Sequence, residues 1–262
     1  MFSVKKLSGA IGAELAGVDL TNNLSEEILV SINEHLVKHE VVFFRDQDIS
    51  WEQHVKLGKF FGPLQSHPAY NSPPNYPEIT ILESTKDNPS KIECWHTDMT
   101  FLKNPPLCSI LRSKICPSKG GDTMWSSMTA AYESLSESMK NFLKNLTAEH
   151  DFCHGFKESI AEPGGRERLK DAIKNNPPVV HPVIRTHPIT KRKAIFVNPL
   201  FTTRINELSK SESDALLEFL YSYSITPEFT CRFSWTPNSI AIWDNRCTCL
   251  LYTSDAADES VC

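Results

Sequence analysis

The sequence lacks several features that mark other classes of protein. No apolar run approaches the roughly 18 residues of a membrane-spanning helix, and no apolar segment follows the lysines near the start as it would in a signal peptide. Acidic residues outnumber basic ones by 32 to 27, which gives a formal net charge of −5. Because there is no basic stripe, nucleic acid is not an expected partner. We therefore expect a cytoplasmic protein that binds neither membranes nor nucleic acid.

The eight cysteines also lack the spacing of a disulfide framework, and no CxxC pair is present. Cys247 and Cys249 are separated by a single residue. We expect reduced thiols that are buried as small hydrophobic groups. No internal repeat or low-complexity linker divides the chain, and 262 residues with 40% hydrophobic content can bury one sizeable core. The sequence therefore predicts one domain.

Helices are predicted around a mainly β core. Ser25 is a candidate N-cap before an apolar stripe with helical spacing, and Ser50 with Gln53 forms a capping box before a second helix that ends at Gly62. Two further helical faces are marked by Met139, Phe142, Leu143 and Leu146 and by Leu216, Leu217 and Leu220. Strands are predicted at about residues 40–44, 78–82, 109–115, 194–198, 229–235 and 239–243. This mixed α/β pattern fits a jelly-roll or cupin-like barrel with flanking helices.

The sequence Trp-His-Thr-Asp at residues 95–98 is the strongest indication of chemistry. On an extended segment, side chains two residues apart point the same way, so His96 and Asp98 share one face. An imidazole and a carboxylate are two members of the 2-His-1-carboxylate triad, which holds Fe(II) and leaves open positions for other ligands. The third ligand is expected to be a distant histidine shortly after residues 243–246 (WDNR).

These motifs and others, in order, resemble the taurine dioxygenase (TauD/TfdA-like) family of Fe(II)- and 2-oxoglutarate-dependent dioxygenases. The resemblance covers residues 3 to about 248. Its blocks are IGAE (11–14), GVDL (17–20), VVFFRDQ (41–47), FFG (60–62), HPAY (67–70), WHTD (95–98), GGDT (120–123), AEHDF (148–152), PPVVHPVIRTHP (177–188), FTTR (201–204) and IAIWDNR (240–246).

The resemblance implies a double-stranded β-helix, with residues 1–248 forming one dioxygenase domain whose last part of the barrel is missing. It implies Fe(II), with 2-oxoglutarate and O2 as co-substrates, and a homo-oligomer, either a dimer or a tetramer. The implied reaction hydroxylates taurine or a related alkyl sulfonate at the carbon next to sulfur. Sulfite and an aldehyde are then released, together with succinate and CO2.

Roles for individual residues follow from the same resemblance. His96 and Asp98 are the implied metal ligands, and Thr123 is the implied contact of 2-oxoglutarate. The substrate pocket is implied to contain His67, which would donate to a sulfonate oxygen, together with Tyr70, Phe156 and Phe201. His181 and His187 belong to a Pro-rich block whose histidines are expected to be structural.

One departure from the family concerns the substrate. Taurine-oxidising members carry Asp and Asn, which hold the substrate ammonium, where this chain has Lys91 and Ile92. Neither of these side chains can accept a hydrogen bond from a cation. We therefore expect a preference for a sulfonate or sulfate ester that has no amine.

The second departure is residues 249–262. Leu250 stands at the position of the third metal ligand, and no arginine follows to bind 2-oxoglutarate or the sulfonate. This segment contradicts what the preceding residues specify. We expect it to be an artefactual, non-family tail, and the chain to be inactive as written. A genuine pseudoenzyme is the rival explanation.

Two other classes of function remain open at this point. A zinc hydrolase could use His and Asp ligands, although it has no need of the Gly-Gly-Asp-Thr block. A non-catalytic binding protein would be compatible with Leu250. Activity with zinc and without 2-oxoglutarate would favour the hydrolase.

Overall fold

The computed structural model describes residues 2–84 and 94–253. The strands are β1 (Ser3–Lys6), β2 (Ala13–Ala16), β3 (Val41–Phe44), β4 (Cys108–Arg112), β5 (Thr123–Ser127), β6 (Thr147–His150), β7 (Val179–Pro182), β8 (Ile184–Thr186), β9 (Lys193–Ile195), β10 (Thr202–Ile205), β11 (Thr230–Phe233), β12 (Ile240–Asp244) and β13 (Thr248–Tyr252). The helices are α1 (Glu26–His39), α2 (Trp51–Phe61), α3 (Met128–Glu133), α4 (Glu137–Leu143), α5 (Phe152–Gly155), α6 (Lys157–Ala161), α7 (Gly165–Arg168), α8 (Lys170–Asn175) and α9 (Lys210–Ser224).

The first two helices begin where the sequence predicts. Ser25 is the extended N-cap of α1, whose Ile32 and Leu36 are fully buried. The capping box of α2 is complete, because Gln53 N–H donates to Ser50 Oγ at 3.2 Å and Ser50 N–H donates to Gln53 Oε1 at 2.6 Å. Both predicted helix starts are confirmed; Ser25 makes no side-chain cap hydrogen bond, whereas the box at Ser50 lies within one turn of chain.

Two sheets face each other and enclose the core in which the candidate site lies. One has the order β1-β2-β3-β12-β4 and the other the order β11-β5-β13. Phe43 and Trp243 of the first sheet pack against Trp125 and Phe233 of the second, with ring centroids 4.1 to 5.7 Å apart. This is the sandwich of a jelly roll. In the described part of the chain these strands form separate sheets and not one closed barrel.

The remaining strands and helices cover the outside of this sandwich. Strands β10-β6-β7 form a small sheet and β8-β9 a hairpin. Helices α3 and α9 pack in one hydrophobic cluster with parts of β6 and β9. A second cluster, around Phe101, Phe152, Phe156 and Phe201, joins α5 to the loop after residue 98.

Some predicted strands are shorter than expected or absent. The strand expected at 78–82 does not form: Ile81 and Leu82 are about half exposed, and Ile79 N–H instead bonds Tyr76 O in a turn. The strand expected to reach residue 115 ends at Arg112, and Ile115 is 92% exposed. The strand expected at 194–198 ends at Ile195. At 78–82 and 113–115 the exposed apolar side chains do not lie in a sheet, which sequence alone cannot show.

Two expected features agree with the described residues. None of the helices there is long and apolar enough to cross a bilayer. The cysteines described are all free thiols, and Cys231, Cys247 and Cys249 are buried.

Candidate functional site

His96 and Asp98 come together on one face, as their spacing predicts. His96 Nε2 lies 3.5 Å from Asp98 Oδ1. His96 Nδ1 is 3.0 Å from the carbonyl oxygen of Cys94. A carbonyl oxygen only accepts, so Nδ1 carries a proton, and Nε2 is the ring nitrogen that faces the carboxylate. The pair thus presents one nitrogen and one oxygen to a common point.

The other oxygen of Asp98 is held by a chain of polar side chains from the first sheet. Ser109 Oγ on β4 donates to Asp98 Oδ2 at 2.5 Å, and Asn245 Nδ2 donates to Ser109 Oγ at 2.8 Å. Burial raises the pKa of Asp98, but the contacts with His96 and Ser109 outweigh it, so the pKa lies below its ordinary value. Asp98 is therefore an ionised carboxylate with a fixed orientation.

Leu250 lies directly opposite His96. His96 N–H donates to Leu250 O at 2.8 Å, and Leu250 N–H donates to His96 O at 2.7 Å. The side chain of Leu250 is fully buried in the cluster that contains Trp125 and Trp243. It faces inward like Tyr252, whose ring centroid is 5.7 Å from that of His96. The position opposite His96 therefore carries a hydrocarbon side chain.

Among the described residues, a second group of side chains that could bind a metal consists of His187, Asp244 and Cys247. His187 Nε2 is 3.0 Å from Asp244 Oδ2, and the Arg246 guanidinium contacts both carboxylate oxygens at 2.5 and 2.7 Å. The arginine neutralises the carboxylate and occupies the space a cation would need. This group is a buried ion-pair network, so the expectation of a structural His187 agrees with the geometry.

Thr123 begins β5 after a turn that requires glycine. Gly120 and Gly121 have φ angles of 75° and 64°, in the left-handed region that glycine adopts at low cost. Thr123 is 1% exposed, and its Oγ1 accepts from Trp235 Nε1 at 2.9 Å. Because that oxygen is already an acceptor, the hydroxyl proton remains available to a carboxylate. Thr123 pairs with Tyr252 across the sheet.

The predicted substrate residues form one aromatic cluster. The His67 ring centroid is 4.5 Å from that of Tyr70 and 5.8 Å from that of Phe156, and Phe156 is 6.3 Å from Phe201. Phe101 lies between them, 5.0 Å from Phe201 and 6.4 Å from His67. Phe101 was not among the residues predicted for the pocket, although it lies only three residues after Asp98.

His67 is a neutral donor in this cluster. Ala69 N–H donates to His67 Nδ1 at 3.1 Å, which leaves the proton on Nε2. Burial lowers the pKa of His67 to about 4, although Asp98 opposes the shift. Burial, aided by Asp98, raises the pKa of Tyr70 to about 12. Both rings therefore interact electrostatically with the Asp98 carboxylate.

The sequence and the fold both match known proteins. The family described as "Taurine catabolism dioxygenase TauD, TfdA family" matches residues 3–249. An alkylsulfatase of Acinetobacter baylyi is 34% identical over 260 residues, covering 98% of this chain and 81% of that protein. An alpha-ketoglutarate-dependent sulfate ester dioxygenase of Pseudomonas putida is 32% identical over 249 residues, covering 94% and 82%. The crystal structure of a taurine dioxygenase from Burkholderia xenovorans matches with a TM-score of 0.82 at 37% identity, covering 99% of this chain and 85% of that one.

Proposed function

This chain belongs to the TauD, TfdA family of taurine catabolism dioxygenases, and from that premise we propose that its site is built to oxygenate an alkyl sulfonate or sulfate ester. Relatives of the chain are named alpha-ketoglutarate-dependent dioxygenases, which implies Fe(II), 2-oxoglutarate and O2. The observation that carries the proposal is the pair His96 Nε2 and Asp98 Oδ1, 3.5 Å apart.

The donor set fits the metal at two positions and fails at a third. His96 offers a neutral nitrogen and Asp98 a hard anionic oxygen, a combination suited to Fe(II). Leu250, hydrogen-bonded to His96 through the backbone, has no donor atom on its side chain. Iron bound with 2-oxoglutarate and O2 supplies the oxidising chemistry in this family. With two protein ligands, this chain is proposed to bind the metal weakly and to be inactive as written.

The other residues bind and orient the organic molecules. The hydroxyl proton of Thr123 is proposed to contact a carboxylate of 2-oxoglutarate. His67 Nε2–H is proposed to donate to a sulfonate or sulfate oxygen, and the rings of Tyr70, Phe156 and Phe201 to enclose the alkyl chain and exclude water. Hydroxylation of the carbon next to the sulfonate, or next to the ester oxygen, gives an adduct that collapses to an aldehyde with sulfite or sulfate.

The metal assignment is tested by anaerobic calorimetric titration with Fe(II). The wild-type chain is expected to bind weakly, and His96→Ala is expected to abolish binding because only one protein ligand remains. His35→Ala is the control, since His35 lies on α1 and stacks on His39 away from this site. Unchanged affinity after His96→Ala would remove His96 from the metal site.

The substrate preference rests on Lys91 and Ile92, which lie outside the described residues. Because neither side chain accepts from an ammonium, we expect a chain with a restored third ligand to prefer sulfonates or sulfate esters without an amine. Competition assays that measure sulfite and aldehyde release compare taurine with simple alkyl sulfonates. A taurine kcat/KM well above that of the alkyl sulfonates would overturn this preference.

We also propose, from the family resemblance, that the chain forms a dimer or tetramer in the cytoplasm. Multi-angle light scattering of the purified chain measures the oligomeric state. A monomer at micromolar concentration would contradict the proposed oligomer.

A further inference from the structure

The turn that follows Asp98 has an unusual backbone. Met99 has a φ of 51°, in the left-handed region that is unfavourable for a residue with a side chain. Leu102 N–H bonds Met99 O at 3.0 Å and closes the turn. Asp98 precedes this strained residue, and Phe101 of the aromatic cluster follows it. The conformation of the turn therefore determines the positions of both the Asp98 carboxylate and the Phe101 ring, which forms one wall of the pocket.

Two buried histidines hold this turn from the neighbouring sheet. His181 Nε2 on β7 is 3.0 Å from both Thr100 O and Leu102 O. Both partners are carbonyl oxygens, so Nε2 carries the proton and donates to the two together. His150 Nδ1, at the end of β6, is 2.9 Å from Thr100 Oγ1. Thr100 and His150 are fully buried and His181 is 6% exposed, so water cannot replace these bonds.

Asn198 extends the same network to the aromatic cluster. Its Nδ2 donates to Thr100 Oγ1 at 3.1 Å, and its Oδ1 accepts from Phe201 N–H at 3.0 Å. Phe201 in turn packs against Phe101, with centroids 5.0 Å apart. One buried polar network thus contacts the turn after the metal carboxylate and the backbone of a pocket residue.

We propose that Thr100, His150, His181 and Asn198 are positioning residues that fix the Asp98 carboxylate relative to His96 and to the aromatic pocket. This inference rests on the proposed function, because it requires Asp98 to bind the metal. Their hydrogen bonds go to one another and to the backbone of Leu102 and Phe201. They act by holding the strained turn in the single geometry in which Asp98 Oδ1 faces His96 Nε2.

The test is Mn²⁺ binding to the full chain, followed by electron paramagnetic resonance. Thr100→Val keeps the shape but removes the hydroxyl, and it is expected to lower Mn²⁺ affinity by about 10-fold or more, the usual effect of losing a partner behind a metal ligand. Thr100→Ser retains the hydroxyl and is expected to keep the wild-type affinity. A second pair of variants tests His181. His181→Phe is expected to lower Mn²⁺ affinity, and His181→Gln is expected to lower it less, because glutamine keeps a terminal N–H donor.

Ser213→Ala is the matched control for lost stability. Its buried hydroxyl on α9 accepts from Ile205 N–H at 2.8 Å, away from the turn. The control is expected to lower the melting temperature but leave Mn²⁺ affinity unchanged. Equal Mn²⁺ affinities for Thr100→Val, His181→Phe and Ser213→Ala would overturn the positioning role.

Hydrogen exchange without metal separates this inference from the proposed function. Thr100→Val is expected to speed exchange of the Leu102 amide, and Ser213→Ala is not. Unchanged exchange would show that the network does not hold the turn, whatever the metal does. If His96→Ala bound Mn²⁺ as tightly as the wild-type chain, the proposed metal site would be wrong. The proposal that the network positions a metal ligand would then fail with it.

Discussion

Glu40 is a buried acid at the end of α1, outside the candidate site. It has a φ of 65°, and its side chain is 3% exposed and 3.3 Å from Arg192. Burial raises the pKa of Glu40 to about 7, and the hydroxyls of Ser127 and Thr129 and the Arg192 guanidinium only partly offset that effect. The carboxylate of Asp244 adds to the increase. Glu40 is therefore an ionisable group whose charge the fold disfavours.

Glu40 is expected to make stability fall as pH rises. A raised pKa means that the folded state holds the proton more tightly than the unfolded state, so the stabilisation is complete below pH 4.5 and is lost as pH rises through about 7. Glu40→Gln removes this dependence. Relative to wild type, it is expected to gain roughly 3 kcal/mol in unfolding free energy between pH 4.5 and 7.5. Urea denaturation across that range measures the difference.

Glu133→Gln is the control, since Glu133 shares Arg192 but is half exposed. Its hydrogen bond to Arg192 lowers the pKa of Glu133, so its stabilisation is present above the ordinary pKa and lost as pH falls. Between pH 4.5 and 7.5, at or above the ordinary pKa of Glu133, Glu133→Gln should therefore differ from wild type by a nearly constant amount, whereas the gain of Glu40→Gln grows with pH. If the difference in unfolding free energy from wild type varied with pH in the same way for both variants, the fold would not disfavour the charge of Glu40.

At the scale of one element, β13 carries the side chain that lies opposite His96. Its side chains alternate, so Leu250 faces inward beside His96 while Leu251 points to the other face. Leu250→His is expected to raise Fe(II) affinity by at least the roughly 10- to 100-fold that groups behind a ligand contribute. Anaerobic titration measures the gain.

Leu251→His gives β13 an imidazole with the opposite orientation and serves as the matched control. It is expected to leave Fe(II) affinity at the wild-type value. Leu250→His should also lower stability without metal by about 1–3 kcal/mol, because a polar ring replaces a leucine that is fully buried. Equal gains from both variants would indicate nonspecific binding by the added imidazole.

Elements whose causes are local could be predicted from the sequence. The capping box of Ser50 and Gln53 lies within four residues, and the pairing of His96 with Asp98 within three. The predicted strand at 78–82 failed because a strand needs a partner strand, and Ile81 N–H instead donates to Asn71 O at 3.3 Å. A short run of β-formers cannot show whether that partner exists.

The support of the site could not be predicted, because it depends on contacts between distant parts of the chain. His150, His181 and Asn198 lie 50 to 98 residues from Thr100, and their contacts exist only after β6 and β7 pair. The resemblance implied the residues that face metal and substrate. The resemblance implied nothing about the buried polar side chains that hydrogen-bond to the turn after Asp98.

For the whole molecule, the β11-β5-β13 sheet brings β13 against His96, which lies outside the strands and forms an isolated bridge with Leu250. The 262-residue chain is expected to show no succinate formation from 2-oxoglutarate, because Leu250 supplies no ligand. Replacing residues 249–262 with the corresponding segment of the Acinetobacter baylyi alkylsulfatase, a 34% identical relative, is expected to restore it in step with aldehyde release. The control is the same replacement with leucine at position 250, which should stay inactive.

Turnover by the unmodified chain at the rate of the repaired chain would mean that another residue provides the third ligand. His181 and His187 are bonded to Thr100 O and Asp244, respectively. His67, whose imidazole interacts with Asp98, would then be the first side chain to substitute.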